Sequence, residues 1–293
     1  MKKITFADSI NSAIDLAMSI DKKVVCYGLG ATDPKGIFGT TKGLEDKFGN
    51  ERVFDMPTSE NAMTGVAVGL AIGGFKTIMT HQRLDFFLLA MDQLVNSAAK
   101  MHYMFNGELK VPVTIRLILG RGWGQGPTHS QNLQSWFAHI PGLRVVMPSS
   151  VSDARDLLIA SVLCDDPVLY IDDRWLYESE AELDEYKEID LRKEGPKLIE
   201  EGTDITFVAS SYGTKLAREA RTKLLNYNIK AEVIDLRVIN PFKPNLIIDS
   251  VLKTKRLIVI DGSWRNCGFA SEVLASVYEK VPSNTMINPP YRI

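Results

Sequence analysis

The chain has 293 residues, 45% hydrophobic and 24% charged, with a formal net charge of −2. That is room for two ordinary globular domains, and a charge balance that argues against nucleic acid or an anionic membrane surface as partner. The three cysteines, Cys26, Cys164 and Cys267, are far apart and have neither disulfide-framework nor zinc spacing, so a reducing, cytoplasmic setting is expected.

From the N-terminus, Met1-Lys2-Lys3 resembles the positive start of a secretion signal, but Asp8, Asn11 and Asp15 interrupt any apolar core behind it. Ile10, Ala13, Ile14, Ala17 and Met18 instead mark one face of an amphipathic helix, with Thr5 and Asp8 as its capping pair. No apolar run approaches the roughly 20 residues of a membrane span. Lys23–Tyr27 reads as a buried strand entering Gly28-Leu29-Gly30. The dinucleotide fingerprint would need a third glycine at position 33, which is Asp33, so a tight turn is the better reading. A helix over about 41–48 and a strand at Arg52–Asp55 follow.

Glu60 then opens a small-residue helix in which Gly65, Gly69 and Gly73 form a bare stripe suited to close packing in a soluble core or subunit interface. A lone carboxylate at a helix start ordinarily compensates the helix dipole. Thr77–Thr80 is a strand. Asp85 to about Met104 is read as one long helix with Leu88, Met91, Leu94, Val95 and Ala98 facing inward. Val111–Leu119 is a strand leading to a mobile glycine-rich loop, Gly120–Gly126, closed by His129-Ser130-Gln131. A short helix to about His139, a strand at Arg144–Met147, a helix at Ser152–Leu163 and a strand at Val168–Ile171 complete an α/β pattern with a mostly parallel sheet. Residues 179–202, rich in Glu, Asp and Lys, read as a linker between a first domain (1–178) and a second, smaller α/β domain (203–293).

Several runs occur together in a meaningful order: Asp55-Met56-Pro57-Thr58-Ser59-Glu60, the stretch Asp92-Gln93-Leu94-Val95-Asn96-Ser97-Ala98-Ala99-Lys100, His129-Ser130-Gln131, and Pro141-Gly142-Leu143-Arg144-Val145-Val146-Met147-Pro148. With Glu232–Arg237 and Ile260–Trp264 in the second domain, they resemble the beta subunit of thiamine-diphosphate-dependent 2-oxoacid dehydrogenases over nearly the whole chain. The resemblance implies a pyrimidine-binding transketolase-like domain followed by a transketolase C-terminal-like domain.

It also implies roles. Glu60 matches the glutamate that hydrogen-bonds the cofactor's pyrimidine from a dry pocket. Phe86, in Gln82–Phe86, matches the ring stacked on that pyrimidine, with Gln82 beside it. His129 matches the histidine that faces the reacting carbon. The family's diphosphate and magnesium motif does not appear here, so an alpha-type partner is expected to hold that end of thiamine diphosphate and the magnesium ion in a two-alpha, two-beta assembly. A lipoyl-bearing acyltransferase is the partner such complexes would add. Ser161–Pro167, including Cys164 and Asp166, corresponds to a loop that holds potassium through carbonyl oxygens in some relatives.

Two departures stand out. Thr80-His81-Gln82-Arg83 replaces an acidic and more apolar stretch, so His81 and Arg83 are candidate contacts for an anionic or sugar substrate. The chain also ends at Ile293, short of such relatives. The implied activity is decarboxylation of a 2-oxoacid with transfer of the acyl or aldehyde unit. The alternatives are a split transketolase moving a carbon unit between sugars, and a non-catalytic scaffold subunit.

Overall fold

The computed structural model describes residues 3–183 and 185–293; Met1, Lys2 and Asp184 lie outside them. A short strand, β1 (Lys3–Thr5), runs into helix α1 (Phe6–Ile20). Thr5 accepts a hydrogen bond from the Asp8 amide at 3.0 Å, a cap worth ~1 kcal/mol. Ile10, Ala13, Ile14, Ala17 and Met18 are all buried, so the apolar stripe sets which face of α1 meets the core.

Six parallel strands follow: β2 (Val24–Gly28), β3 (Val53–Asp55), β4 (Lys76–His81), β5 (Val113–Leu119), β6 (Arg144–Val146) and β7 (Val168–Asp173). Across the sheet they lie in the order β6–β7–β5–β4–β2–β3. Every residue of β5 is buried, as expected of a strand covered on both faces. The connecting helices are α2 (Leu44–Phe48), α3 (Glu60–Ile72), α4 (Leu84–Phe87), α5 (Ala99–Met104), α6 (Gln134–Ala138) and α7 (Val151–Leu163). From β2 the chain steps outward to β3, then returns to place β4 on the other side of β2. The connections therefore diverge between β2 and β4, and the crevice beyond their carboxyl ends is where parallel sheets bind ligands.

The long helix expected from Asp85 to Met104 is broken. Between α4 and α5 the backbone tightens to a 3-10 turn at Leu88–Ala90 and widens to a π-helix at Gln93–Ala98. This rotates the inward face: Ala90, Leu94 and Ala98 are buried, while Leu88, Met91 and Val95 are only half-buried. The polar side chains of the π segment bond to one another, Asn96 to Asp92 at 2.8 Å and Ser97 to Gln93 at 3.1 Å. Gln93 also lies against Gly65, where a Cβ would come within 3.5 Å of its amide oxygen. One of the three glycines of the stripe is thus covered from within the chain. Gly69 meets nothing within 4 Å and stands among the exposed Val66, Ile72 and Phe75.

Gly142 is fixed by close approach. Its φ is +95°, and a Cβ there would sit 2.0 Å from the Ala99 carbonyl oxygen. Lys100 meanwhile donates to the Pro141 carbonyl at 2.8 Å, so the two motifs hold each other. Gly142→Ala is expected to cost at least ~2 kcal/mol, because both the left-handed backbone and the backbone contact oppose it. A chemical-denaturation midpoint unchanged from the parent would contradict this.

The stretch read as a plain linker is structured. β8 (Glu180–Glu182) pairs antiparallel with β1, Leu191 is buried, and β9 (Lys197–Glu200) joins the second sheet. That sheet contains β10 (Ile205–Ala209) and β11 (Ala231–Asp235), followed by α8 (Tyr212–Leu225) and α9 (Asn245–Thr254). β13 (Leu257–Ile260), α10 (Phe269–Tyr278) and β14 (Tyr291–Arg292) complete it, in the order β14–β13–β10–β11–β9. Between β11 and α9, β12 (Val238–Asn240) leaves its own domain and pairs antiparallel with β6. Arg237, next to it, bonds Asp153 at 2.8 Å and Glu194 at 2.6 Å. One hydrophobic core consequently runs through both units, from Ile115 and Leu117 to Ile234 and Ile247.

Candidate active site

The sheet order brings the matched residues to one rim. Glu60 begins α3, which leaves the carboxyl end of edge strand β3. Phe86 lies on α4, just beyond β4. α3 packs against the 3-10 and π turns that continue from α4, so the two residues stand on adjoining elements. Glu60 is 5% exposed, and among the described residues its carboxyl has no hydrogen-bond or ion-pair partner. Ser59, before it, makes no side-chain cap, so Glu60 is not half of a capping box. A carboxyl with no partner within the chain, on a rim beside aromatic rings, is free to bond a ligand.

Phe86 and His129 meet directly, with ring centroids 5.3 Å apart and planes at 89°. The His129 Nδ1 contacts the Thr128 hydroxyl at 3.1 Å, and among the described residues Nε2 makes no hydrogen bond. Asp85 supports this pairing: its Oδ1 accepts from the Gln131 amide at 3.3 Å and from the Gln131 side chain at 2.8 Å. Its Oδ2 is buried with no partner. Sequence reasoning missed Asp85, and its place one residue before Phe86 was the available signal.

The other candidates separate. Gln82 is exposed at the diverging crevice and donates to the Leu29 carbonyl at 3.1 Å, bridging the ends of β4 and β2. His81 is 2% exposed and sits edge-on to Phe87 at 5.0 Å, with Nε2 unpartnered. Burial pushes its imidazole down to about 3. It faces the core and presents nothing to the open rim.

Arg83 is neither exposed nor ion-paired. It is 3% exposed, its guanidinium donates to the Gln82 carbonyl at 2.6 Å, and it is gripped by Gln125 through Nε at 3.0 Å and through Nη2. Burial, together with nearby Arg174, pushes its guanidinium below the usual range. Both cations lie over the Phe38 ring, Arg83 at 5.2 Å and Arg174 at 4.1 Å from its centroid. Among the described residues neither arginine forms an ion pair with a carboxylate. Nothing in sequence signalled Phe38 or Arg174.

The glycine-rich loop read as mobile is pinned. Gln125 holds Arg83, Trp123 stacks on Trp175 at 4.7 Å, and Arg121 donates to the Gly262 carbonyl in the second domain. In the proposed potassium loop the Ser161 carbonyl accepts from the Cys164 amide, and the Asp166 carboxylate is held by Arg144 at 2.7 Å. Among the described residues no three His, Cys, Asp or Glu side chains are grouped to hold a metal ion.

Comparisons with known proteins show the family and the fold. The family described as "Transketolase, pyrimidine binding domain" matches residues 2–179, and "Transketolase, C-terminal domain" matches residues 196–289. The beta-1 subunit of the mitochondrial pyruvate dehydrogenase E1 component of Arabidopsis thaliana is 39% identical over 95% of this chain and 78% of its own length. The beta subunit from Rickettsia bellii is 37% identical over 95% of the chain and 85% of its own. Among solved structures, a split-gene transketolase described as an inactive beta4 tetramer superposes with a TM-score of 0.78 at 21% identity, covering 99% of this chain and 89% of that one. Transketolase from Campylobacter jejuni gives 0.72 at 16% identity, covering all of this chain and 42% of its own. At these identities the two structures speak to the fold alone.

Proposed function

Because the chain belongs to the family of the pyruvate dehydrogenase E1 beta subunits, we propose that it is the beta-type half of a thiamine-diphosphate-dependent enzyme that decarboxylates a 2-oxoacid. The observation that carries this reading is the carboxyl of the largely buried Glu60, without a partner among the described residues, on the rim that also holds Phe86 and His129. A pyrimidine ring needs a carboxyl for its ring nitrogen and a flat apolar face, and these residues provide both.

When bound, thiamine diphosphate would supply the nucleophilic carbon that attacks the 2-oxo group. Glu60 holds a proton at its carboxyl oxygen for the pyrimidine, and the absence of a competing partner keeps that oxygen available. Phe86 orients the ring and excludes water, a contribution of ~0.5–1.5 kcal/mol beyond burial. His129, its Nδ1 engaged by Thr128, offers Nε2 for proton exchange with the substrate. Magnesium and the diphosphate belong to an alpha-type chain in a two-alpha, two-beta assembly. The exposed Val66, Gly69, Ile72 and Leu89 supply an apolar face for subunit contact. A potassium ion at Ser161–Pro167 would draw on backbone carbonyls, of which those of Ser161, Asp165 and Pro167 already accept hydrogen bonds. A lipoyl-bearing acyltransferase would then take the acyl unit.

One observation favours the split-transketolase reading: the Arg83 guanidinium, near the rim, is hydrogen-bonded only by neutral groups, with Asp85 the nearby carboxylate that acts on it. The assembled enzyme, assayed with pyruvate and branched-chain oxoacids plus an artificial electron acceptor, should turn over at least one of them. Turnover of ketose phosphates alone would reject the dehydrogenase reading.

A further inference from the structure

Glu60 and Phe86 stand on helices, but the imidazole of His129 is carried by a loop with little stiffness of its own. Gly122, Gly124 and Gly126 have φ of +82°, +70° and +83°, and Gly124 and Gly126 meet nothing within 4 Å. The first half of the loop is tied to its surroundings through Arg121, on the Gly262 carbonyl, and through Trp123, stacked on Trp175. Neither tie touches the stretch from Gln125 to Gln131.

That stretch is held by the segment just before Phe86. Arg83 and Asp85 stand on either side of Leu84, which is fully buried and anchors both. Arg83 holds Gln125, upstream of His129, through Nε at 3.0 Å. Gly120 lies so close to both that a Cβ there would sit 2.6 Å from Arg83 Nε and 2.6 Å from the His129 carbonyl oxygen. Asp85 holds Gln131, downstream of His129, its Oδ1 accepting from the backbone amide at 3.3 Å and from the side chain at 2.8 Å. The histidine is therefore clamped from both sides by the segment that carries Phe86.

Asp85 does not act as an acidic residue in a first helical turn ordinarily does. α4 has no side-chain cap, and the hydrogen bonds of Asp85 leave the helix for Gln131. Its Oδ2 is buried without a partner, which costs stability, so holding the fold alone does not account for a carboxylate here. Asp85 also favours the charged guanidinium of Arg83, so the two clamps support each other. We propose that Asp85 is a positioning residue: acting through Gln131, it fixes the His129 imidazole against the Phe86 ring. The kinetic consequence rests on the thiamine reading, whereas the placement of the imidazole does not.

Nuclear magnetic resonance of the isolated full-length chain, with isotope-labelled histidine rings, tests the placement. His129→Asn identifies the His129 signal among the four histidines, and Phe86→Leu gives the part of its chemical shift that comes from the Phe86 ring. Asp85→Leu should move the His129 signal toward its position in Phe86→Leu and leave His102, on α5, unmoved. Gln131→Met cuts the 2.8 Å bond from the loop side, should move the signal in the same direction, and serves if Asp85→Leu fails to fold. Asp85→Asn keeps an acceptor oxygen for Gln131 and should restore the parent signal. In the assembled enzyme Asp85→Leu should lower kcat about 10- to 100-fold, with KM for the oxoacid changed by less than about 3-fold, and Asp85→Asn should recover most of the loss. A His129 signal that stays in place in both Asp85→Leu and Gln131→Met would overturn the proposal. So would an Asp85→Asn signal displaced as far as that of Asp85→Leu, or an unchanged kcat in Asp85→Leu when the parent assembly turns over. A parent assembly without thiamine-dependent turnover would reject the thiamine reading, and the ring signals would still decide the placement.

Discussion

Replacing Glu60 by Gln is expected to lower turnover of the assembled enzyme at least ~100-fold while leaving the folded chain as stable as before. The size follows from removing a group that holds a proton in the reaction, an effect of order 10²–10⁴. The stability half follows from the structure. The Glu60 carboxyl makes no hydrogen bond or ion pair among the described residues, so an amide of the same shape gives up no contact within the chain. A residue that served only to cap α3 would show the reverse, with lost stability and retained turnover. Reconstituted kcat and thermal unfolding of the isolated variant separate the two. A scaffold subunit predicts no change in turnover.

The largest effect on stability is expected at Arg116. Its side chain is fully buried and bonds Asp172 in a two-pronged geometry, Nε and Nη2 each reaching a carboxylate oxygen at 3.0 Å. Nη1 donates to Thr40 at 2.7 Å, Nη2 also reaches the Tyr177 hydroxyl at 2.6 Å, and that hydroxyl bonds Asp172 at 2.6 Å. Each guanidinium nitrogen and both Asp172 oxygens are engaged, and Asp172 raises the guanidinium above its usual range despite burial. Arg116→Ala strands a buried carboxylate and should cost ~3–5 kcal/mol, about 5–8 °C in Tm for a chain of this size. Arg116→Lys should not rescue it, because an ammonium cannot match the two-pronged bond. The double variant Arg116→Met with Asp172→Leu should recover most of the loss. A Tm drop of only a degree or two in Arg116→Ala would contradict this account. The network also reaches function: it ties the end of β7, and hence Arg174, to the Thr40 segment that carries Phe38.

Local pattern revealed most of the strands and helices because their apolar periodicity is strong. α1 follows from its stripe and cap, and β5 from an unbroken apolar run. What local pattern could not reveal depends on distant pairing. Val238-Ile239-Asn240 is too short to read as a strand, and it is one only because β6 offers an open edge. Glu180–Glu182 and Lys197–Glu200 sit in a charged stretch and become strands by pairing with β1 and β11. The break between α4 and α5 is invisible to a 3.6-residue period, since all of its residues are compatible with a helix. At the site, Glu60, Phe86 and His129 were legible through resemblance to a family. Asp85, Phe38, Arg174 and Arg116 were not, because each acts through contacts made 40 or more residues away in the chain or through a neighbour so positioned.

The central claim is that this chain holds one end of a cofactor whose other end belongs to a different chain. Its most direct test is titration with thiamine diphosphate and magnesium, first of the isolated chain and then of the same chain co-purified with an alpha-type partner. The account predicts weak or undetectable binding to the chain alone, and binding at least ~100-fold tighter to the pair, an additional ~2.7 kcal/mol. Tight, magnesium-dependent binding by the isolated chain would contradict it.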